Sequence, residues 1–518
     1  MKALAAILIV FISLNSLQAS RILFLFPTPS KSHVIIARAL STALAEKGHD
    51  VTLMSSFTTK SQLKNHREIF IELGEGTYQQ MNSLMSNPTR NFYKMMNATI
   101  GISYEIGKDL MESKIMNDVM KEKFDLMVIG MAFTNFLLGL TQHFNCPVIM
   151  LSVQRHMSFT NLIIGNPLSV NTAPHIYIAK HDMNFIDRVK NFVMYGGDLL
   201  MYEIVNYHQR VIYDTYFPST KFRSYDEALK NLSLILVNDH YTEGVVRPNI
   251  PTVVDIRGMH IKTVPDQLPN DIEKFLNEAK EGVIYFSLGT NVRADSIPQE
   301  KLQILLSVFS KLPQRVLMKW ETENVAGKSD NVLIKTWLPQ ADILAHPNVK
   351  LFISHCGLGG IVESQYLGVP ILGLPMFGDQ MMNADLAEQE GWIIQMDLET
   401  LNEEEFYKNI QELLYNETYA STVKGFSRLF RDRPLSPKDT AVYWTEYVIN
   451  HRGAKHMQYK AIHQNFWQRN SLDVIGFLLL SLWTIYQMLK YVWKKLVKKI
   501  IQKIIRKGTK KSEKRKKL

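Results

Sequence analysis

Apolar residues along this chain alternate between short uninterrupted runs and longer stretches at helical spacing. The run Arg21-Ile-Leu-Phe-Leu-Phe26 reads as a strand buried on both faces. A polar loop over 27–32 follows, and residues 33–47 then carry apolar positions at helical spacing. Gly48 closes that helix, and Asp50-Val-Thr-Leu-Met54 starts the next strand. Strand, helix, strand in this order predicts a right-handed crossover and a parallel sheet. Further strands are predicted over 126–129, 148–151, 234–237, 284–287, 316–319, 349–354 and 371–374, with a long helix over about 186–213. Pro, Gly and Asp gather between Pro248 and Pro269, which predicts a linker with α/β units on either side. At 518 residues the chain is too long for one ordinary core.

The most informative stretch runs from Trp337 to Gln380. Its strand over 349–354 stops at His355-Cys356-Gly357-Leu358-Gly359-Gly360, and helical spacing resumes over about 361–367. A strand that turns into a helix through glycines offers unpaired N–H groups and the positive end of a helix dipole to an anion. Many α/β proteins need glycine there merely to turn. Here, however, Trp337 and Gln340 stand upstream, Glu363 stands eight residues after His355, and Asp379-Gln380 close the stretch. An indole can stack on a base and an amide can bond its edge. Imidazole and backbone N–H can hold phosphate, a carboxylate can accept from two ribose hydroxyls, and an acid–amide pair can bond sugar hydroxyls.

The whole stretch, WLPQADILAHPNVKLFISHCGLGGIVES through QYLGVPILGLPMFGDQ, resembles the signature of the UDP-glycosyltransferase family, and the resemblance extends over nearly the whole chain. It implies the GT-B fold, two doubly wound Rossmann-like α/β domains facing a cleft, with a C-terminal transmembrane helix. By the resemblance Trp337 stacks on uracil, Gln340 reads the uridine, His355 touches the diphosphate with the turn Gly357, Gly359 and Gly360, and Glu363 holds the ribose. Asp379 and Gln380 bind the sugar, and Thr290 approaches the phosphates. Many members carry Asn or Ser where this chain has Gly359 and Gly360, so donor contacts there are expected from the backbone. His33 falls on the family's catalytic histidine. It is expected to take the acceptor proton while the acceptor oxygen displaces UDP with inversion. The helix terminus after His355 meets the leaving charge, with neither metal nor cofactor and the UDP-sugar as co-substrate. Members usually place Asp or Glu at the end of the strand that starts Phe124-Asp125, to orient that histidine. Here the position is Gly130. A histidine that opens a helix is, without the resemblance, more often structural. The segment Arg433–Trp444 resembles the family's closing helix, and looks more like invertebrate members, which mostly use UDP-glucose. The domain boundaries implied are a signal peptide 1–19, an acceptor-binding domain 20–250, a linker 251–270, a UDP-sugar-binding domain 271–440, closing helices 441–471, a membrane helix 472–493 and a tail 494–518.

Charge and the two ends refine this picture. The formal charge of +10 suggests a nucleic-acid partner only until its location is known. From Lys490 onward there are 14 Lys/Arg against Glu513 alone, leaving 45 basic and 48 acidic residues in the rest. The body is therefore near neutral, and nucleic acid is not an expected partner. Lys2, an apolar run and then small and polar residues ending Leu17-Gln-Ala-Ser20 have the layout of a secretory signal, although Leu17 is not the ideal small residue, with a permanent anchor as the alternative. The sequons at Asn97, Asn231 and Asn416 fit a lumenal location. Residues 474–489 carry no formal charge, and with Lys490 snorkelling 472–493 suffices to span a bilayer. The lysines place the tail on the cytoplasmic side. Within it Leu496, Val497, Ile500, Ile501, Ile504 and Ile505 form an apolar stripe suited to an anionic leaflet surface. The end resembles a dilysine retrieval signal, and a merely solvated charge run reads equally well. Cys146 and Cys356 lie in different halves and are expected to be idle thiols. The expected protein is a single-pass enzyme of the endoplasmic reticulum membrane, glycosylating small lipophilic acceptors, with a homo-oligomer compatible. A catalytically weakened relative that binds UDP-sugar or lipophiles as a carrier or partner subunit is the alternative, and Gly130 favours it.

Overall fold

The computed structural model describes residues 19–59, 61–86, 92–131, 134–176, 178, 182–289, 297–376 and 378–515. The chain forms two compact units, Met1–Tyr459 and Lys460–Leu518.

Two parallel sheets build the first unit. The N-terminal sheet has strands β1 (Arg21–Phe26), β2 (Asp50–Ser55), β3 (His66–Phe70), β4 (Leu126–Gly130), β5 (Val148–Ser152), β6 (Leu232–Val237) and β7 (Val253–Asp255), in the order β3-β2-β1-β4-β5-β6-β7. The C-terminal sheet has β8 (Val283–Ser287), β9 (Arg315–Lys319), β10 (Val332–Lys335), β11 (Val349–Ser354), β12 (Ile371–Gly373) and β13 (Ile393–Gln395), in the order β10-β9-β8-β11-β12-β13. Both orders reverse once, between β1 and β4 and between β8 and β11. That reversal defines a doubly wound sheet and opens a crevice at the strands' carboxyl ends.

The continuous apolar runs follow from this architecture. In β1, Leu23 and Leu25 enter the core on one face of the sheet, while Ile22, Phe24 and Phe26 enter the core on the other. In the second sheet, Ile284 and Phe286 face one core, and Val283 and Tyr285 the other. With helices covering both faces, no position of such a strand can be polar without a buried partner.

Four strands, β3, β7, β10 and β13, carry apolar runs of three residues at most and appear only in the structure. They lie at or beside the sheet edges, where fewer residues must be apolar. β7 falls inside the stretch read as a linker and pairs with β6 through Val253–Asp255.

Among the helices, α1 (Lys31–Glu46) follows β1, and α2 (Phe92–Met111), α3 (Ser158–Ile164) and α4 (Phe185–Tyr216) cover the N-terminal sheet's binding end. Asn184 caps α4 by accepting from the Asp187 N–H, and Asp187 returns the bond. On the C-terminal side stand α5 (Gln340–Leu344), α6 (Leu358–Leu367) and α7 (Gln380–Gln389). The chain then returns. α8 (Pro437–Asn450) starts with the Ser436 side chain accepting from Asp439 N–H and has proline in its first turn. It packs Ala441, Val442 and Val448 into the same core as Phe24 and Leu40 of the N-terminal sheet and α1.

In the second unit a short helix, Phe466–Arg469, capped by Asn465, precedes α9 (Leu472–Arg515). α9 is one continuous helix of 44 residues, with no break between the apolar span and the lysine-rich stretch. Lysine is a good helix former, so charge alone does not end it. Its segment Leu472–Gly508 is long and apolar enough to cross a membrane, and it is the single such helix among the described residues. Residues 1–18, which hold most of the signal segment, lie outside the described residues.

Candidate active site

The site is assembled from the carboxyl ends of strands in both sheets. His33 lies in the first turn of α1, directly after β1 and beside the β1–β4 reversal. The side chain is half-buried, and desolvation pushes its pKa down to about 4, with no charged neighbour offsetting the effect. Among the described residues no carboxylate pairs with it. At the position where a carboxylate is expected, Gly130 closes β4, and its carbonyl accepts from Thr134 Oγ1 at 2.6 Å. A Cβ on Gly130 would stand 3.3 Å from the Phe26 ring, so that ring fills the ground an acid would need. The remaining void, lined by Phe26, His33, Gly130, Thr134 and others, is about 20 Å³.

On its other side His33 lines a cavity of about 210 Å³. Met96 and Thr99 of α2, Met157, Phe159 and Ile163 around α3, and Met201, Tyr202 and Val205 of α4 form much of its wall. The exposed lining surface is predominantly apolar, with Asn135, Ser152, Gln154, Ser158, Asp198 and Asn206 among its polar points. Asp198 is already engaged: it accepts from Ser158 and stands 2.8 Å from His175 Nε2. Such a wall suits a lipophilic molecule with few polar groups.

The second half lies across the crevice. Trp337 is half-exposed in the turn before α5, and the Lys31 ammonium sits 3.6 Å from the centre of its ring. This contact brings the start of α1, and with it His33, to the C-terminal domain. Gln340 opens α5, donates to Glu363 Oε2 at 2.6 Å and accepts from the Tyr285 hydroxyl at 3.3 Å. Glu363 stands on α6, one and a half turns in.

His355 follows β11 with its ring between two loops. A Cβ at Gly289 would lie 2.5 Å, and at Gly357 2.4 Å, from that ring, so neither position has room for a side chain. Desolvation and the nearby Lys319 ammonium lower the His355 pKa to about 4. Among the described residues its buried Nδ1 has no hydrogen-bond partner, an unmet demand of the kind that calls for an explanation at a site. The backbone then turns at Cys356 through the left-handed region (φ 59°) and enters α6, whose first turn contains Gly359 and Gly360. Ile361 N–H is bonded to Gly357 O and Leu358 N–H to the Asp379 carboxylate, so the first-turn N–H groups left without an intrahelical partner are those of Gly359 and Gly360.

Asp379 stands at the N-terminal boundary of α7 without capping it, and accepts from Asn383 Nδ2 at 2.9 Å. Gln380 accepts from Met376 N–H at 2.8 Å. Thr290 lies outside the described residues. Cys146 and Cys356 are both free, and burial pushes the Cys146 thiol up to about 12. Among the described residues, no three His, Cys, Asp or Glu side chains group to hold a metal.

Residues 12–511 match the family described as "UDP-glucoronosyl and UDP-glucosyl transferase". The chain belongs to this family. It is similar to UDP-glycosyltransferase UGT5 of Dactylopius coccus, 35% identical over 91% of this chain and 91% of that protein. UDP-glucosyltransferase 2 of the same insect is 34% identical over 93% and 94%. Human UDP-glucuronosyltransferase 2B7 is 28% identical over 88% and 89%. Among solved structures, a UDP-glucosyltransferase from Polygonum tinctorium in complex with 3,4-dichloroaniline superimposes with a TM-score of 0.56 at 14% identity, covering 83% of this chain and 99% of that one. SnogD of Streptomyces nogalater gives 0.56 at 15% identity, covering 83% and 100%. These likenesses show the GT-B fold. The protein is thus a UDP-glycosyltransferase of the animal type.

Two lysines of this glycosyltransferase went unread in the sequence. Lys319 ends β9, donates to Gly289 O at 2.7 Å, and its charge bears on both His355 and Lys31. A lysine closing an apolar strand at the sheet's binding end was a usable signal. Lys31 carried none, because its neighbour Trp337 is 306 positions away in the sequence.

Proposed function

We propose that this UDP-glycosyltransferase moves glucose from UDP-glucose to a hydroxyl of small lipophilic acceptors, with inversion at the anomeric carbon. The observation that carries the reading is the station of His33. It lies on the wall of the apolar cavity and two residues from the lysine that covers Trp337. The acceptor occupies the cavity with its hydroxyl at His33, whose neutral imidazole takes the proton. The acceptor oxygen bonds to the anomeric carbon, the bond from that carbon to the β-phosphate oxygen breaks, and UDP leaves with the electron pair. The first-turn N–H groups of α6 and the lysine charges meet that leaving negative charge.

In the same reading Trp337 stacks on uracil, Gln340 bonds its edge, and Glu363 accepts from the ribose hydroxyls. His355 and the Gly357, Gly359 and Gly360 backbone hold the diphosphate with Thr290, and Asp379 and Gln380 bond the sugar. The name of the 34%-identical insect relative supports glucose.

Membranes bearing the protein, supplied in parallel with UDP-glucose or UDP-glucuronate and a phenol, test the reading. A β-glucoside is the expected product, and His33→Ala should abolish it. Turnover of UDP-glucuronate alone would change the donor. A second reading, a carrier or partner subunit that binds without turnover, is favoured by the absence of a carboxylate on His33 among the described residues, and it predicts no product from either donor. We further infer a lumenal body in the endoplasmic reticulum, with glycans at the exposed Asn97 and Asn416 and at the half-buried Asn231. Endoglycosidase treatment and protease protection test this placement.

A further inference from the structure

The connector between the two sheets does more than join them. It leaves β7 at Asp255 and reaches the next helix at Asn270. Arg257, fully buried, pairs with Glu243 of the N-terminal domain. Three residues on, His260 Nε2 stands 3.3 Å from Glu363 Oε1, and both side chains are largely buried, 7% and 13% exposed. The next residue, Ile261, packs in one cluster with Val362 and Phe430. Two consecutive connector residues therefore meet two consecutive residues of α6, which fixes the register between them.

Each oxygen of Glu363 has one protein neighbour: Oε2 accepts from Gln340, and Oε1 faces His260. A carboxylate carries about four acceptor sites, so this arrangement fixes its plane and still leaves lone pairs for two hydroxyls. Among the described residues His260 Nδ1, meanwhile, is buried without a hydrogen-bond partner. An apolar ring of the same size would avoid that cost, so packing does not account for an imidazole at this position. What the imidazole places against Glu363 Oε1 is its Nε2 edge, a polar contact at 3.3 Å that an apolar ring would not make.

We propose that His260 is a positioning residue for the donor: through Nε2 it holds the Glu363 carboxylate in the orientation that accepts the ribose hydroxyls of the UDP-sugar. The proposal rests on Glu363 being the ribose ligand. It adds that the ribose site is completed by the interdomain connector, so that donor affinity depends on a residue outside the signature stretch.

The test measures affinity for UDP and 2′-deoxy-UDP, by competition against UDP-sugar on the full-length protein, for wild type, His260→Phe, His260→Gln, Glu363→Ala and the double variant His260→Phe/Glu363→Ala. Glu363→Ala should lose roughly tenfold to hundredfold in UDP affinity, the range for a hydrogen bond to a charged group. His260→Phe keeps the ring volume without a donor. It should lose roughly three- to tenfold for UDP, and less for 2′-deoxy-UDP, while the acceptor KM stays unchanged. His260→Gln, which returns an N–H near the same place, should recover most of the loss. The double variant should bind UDP no worse than Glu363→Ala, because His260 acts only through that carboxylate. A merely structural histidine would instead weaken both nucleotides equally, and its loss would add to that of Glu363→Ala. Either result overturns the proposal. Unchanged UDP affinity in Glu363→Ala would overturn the ribose reading itself. Unchanged affinity in His260→Phe alone would overturn only the role of His260.

Discussion

His33 enters the reaction from surroundings that disfavour its charged form. Because its folded pKa lies near 4 rather than 6.5, the neutral imidazole predominates from about pH 5 upward. The basic form is therefore fully present at neutral pH and is lost only as pH falls through about 4. The profile of kcat/KM for a phenol should stay flat down to about pH 5 and then decline. An acid limb centred at about 6–7 would show that a carboxylate reaches the ring in the working enzyme. The same environment makes the imidazolium formed during proton transfer costly, since no carboxylate among the described residues compensates it. Acceptors that ionise readily, such as phenols with a pKa of about 10, should then be far better than aliphatic alcohols. In serine proteases, neutralising the acid behind the catalytic histidine costs about 10⁴ in rate. Introducing Gly130→Asp alone would drive a side chain into the Phe26 ring, 3.3 Å from the new Cβ. Such overpacking costs about 1–3 kcal/mol. Combined with Phe26→Val, which clears that space, it should raise the alcohol rate about tenfold or more with little change for phenols. A folded double variant with no gain on alcohols would refute the account.

At the scale of one element, the start of α6 separates glycines that differ in kind. A Cβ at Gly359 would meet no atom within 4 Å, whereas one at Gly360 would stand 3.3 Å from both Phe352 and Ser354 Oγ. If the diphosphate is held by backbone N–H groups alone, Gly359→Ala should leave UDP affinity within twofold. It should also stabilise the fold by about 0.4–1 kcal/mol through the unfolded chain's entropy. Thermal melts with a UDP titration check both, and a lost affinity would mean that the phosphate comes up against the Cα of Gly359 itself. This element was also the most legible in the sequence, because strand, glycine turn and helix each leave a local mark. The buried central strands were equally plain, since being covered on both faces forces unbroken apolar runs such as Ile22–Phe26. Edge strands such as Val332–Lys335 left a weaker mark, because only three of its four residues are apolar and Leu333 is only partly buried. Least legible were contacts set by the tertiary fold: Lys31 on Trp337, and His260 on Glu363, each join a residue of the signature stretch to one whose own neighbourhood carries no pattern. Phe26 looked like one more core residue until the structure set it against Gly130.

Across the whole molecule, charge and apolar surface are partitioned rather than spread. Outside the last 29 residues basic and acidic groups nearly balance, while from Lys490 onward lysine and arginine outnumber acids 14 to one. The apolar half of α9 is exposed along its length, with Leu478, Leu482 and Ile485 all more than half uncovered. A single helix cannot bury so much apolar surface on itself, and a bilayer about 30 Å thick can. Lysines gathered at one end of such a span favour the cytoplasmic side. Removing residues 472–518 should therefore release the body into the supernatant on alkaline extraction of cells expressing the truncation. Its folded state can be checked by UDP binding. The first unit offers one other candidate for holding a membrane: on α4, Phe185, Phe192, Val193 and Leu200 are each about two-thirds exposed. That same helix lines the apolar cavity through Met201, Tyr202 and Val205. If the truncated protein stays in the pellet, Phe185→Ser/Phe192→Ser in the truncated chain decides between the two surfaces. Release by the pair would assign the attachment to α4, and continued pelleting would point to an uncleaved N-terminal segment.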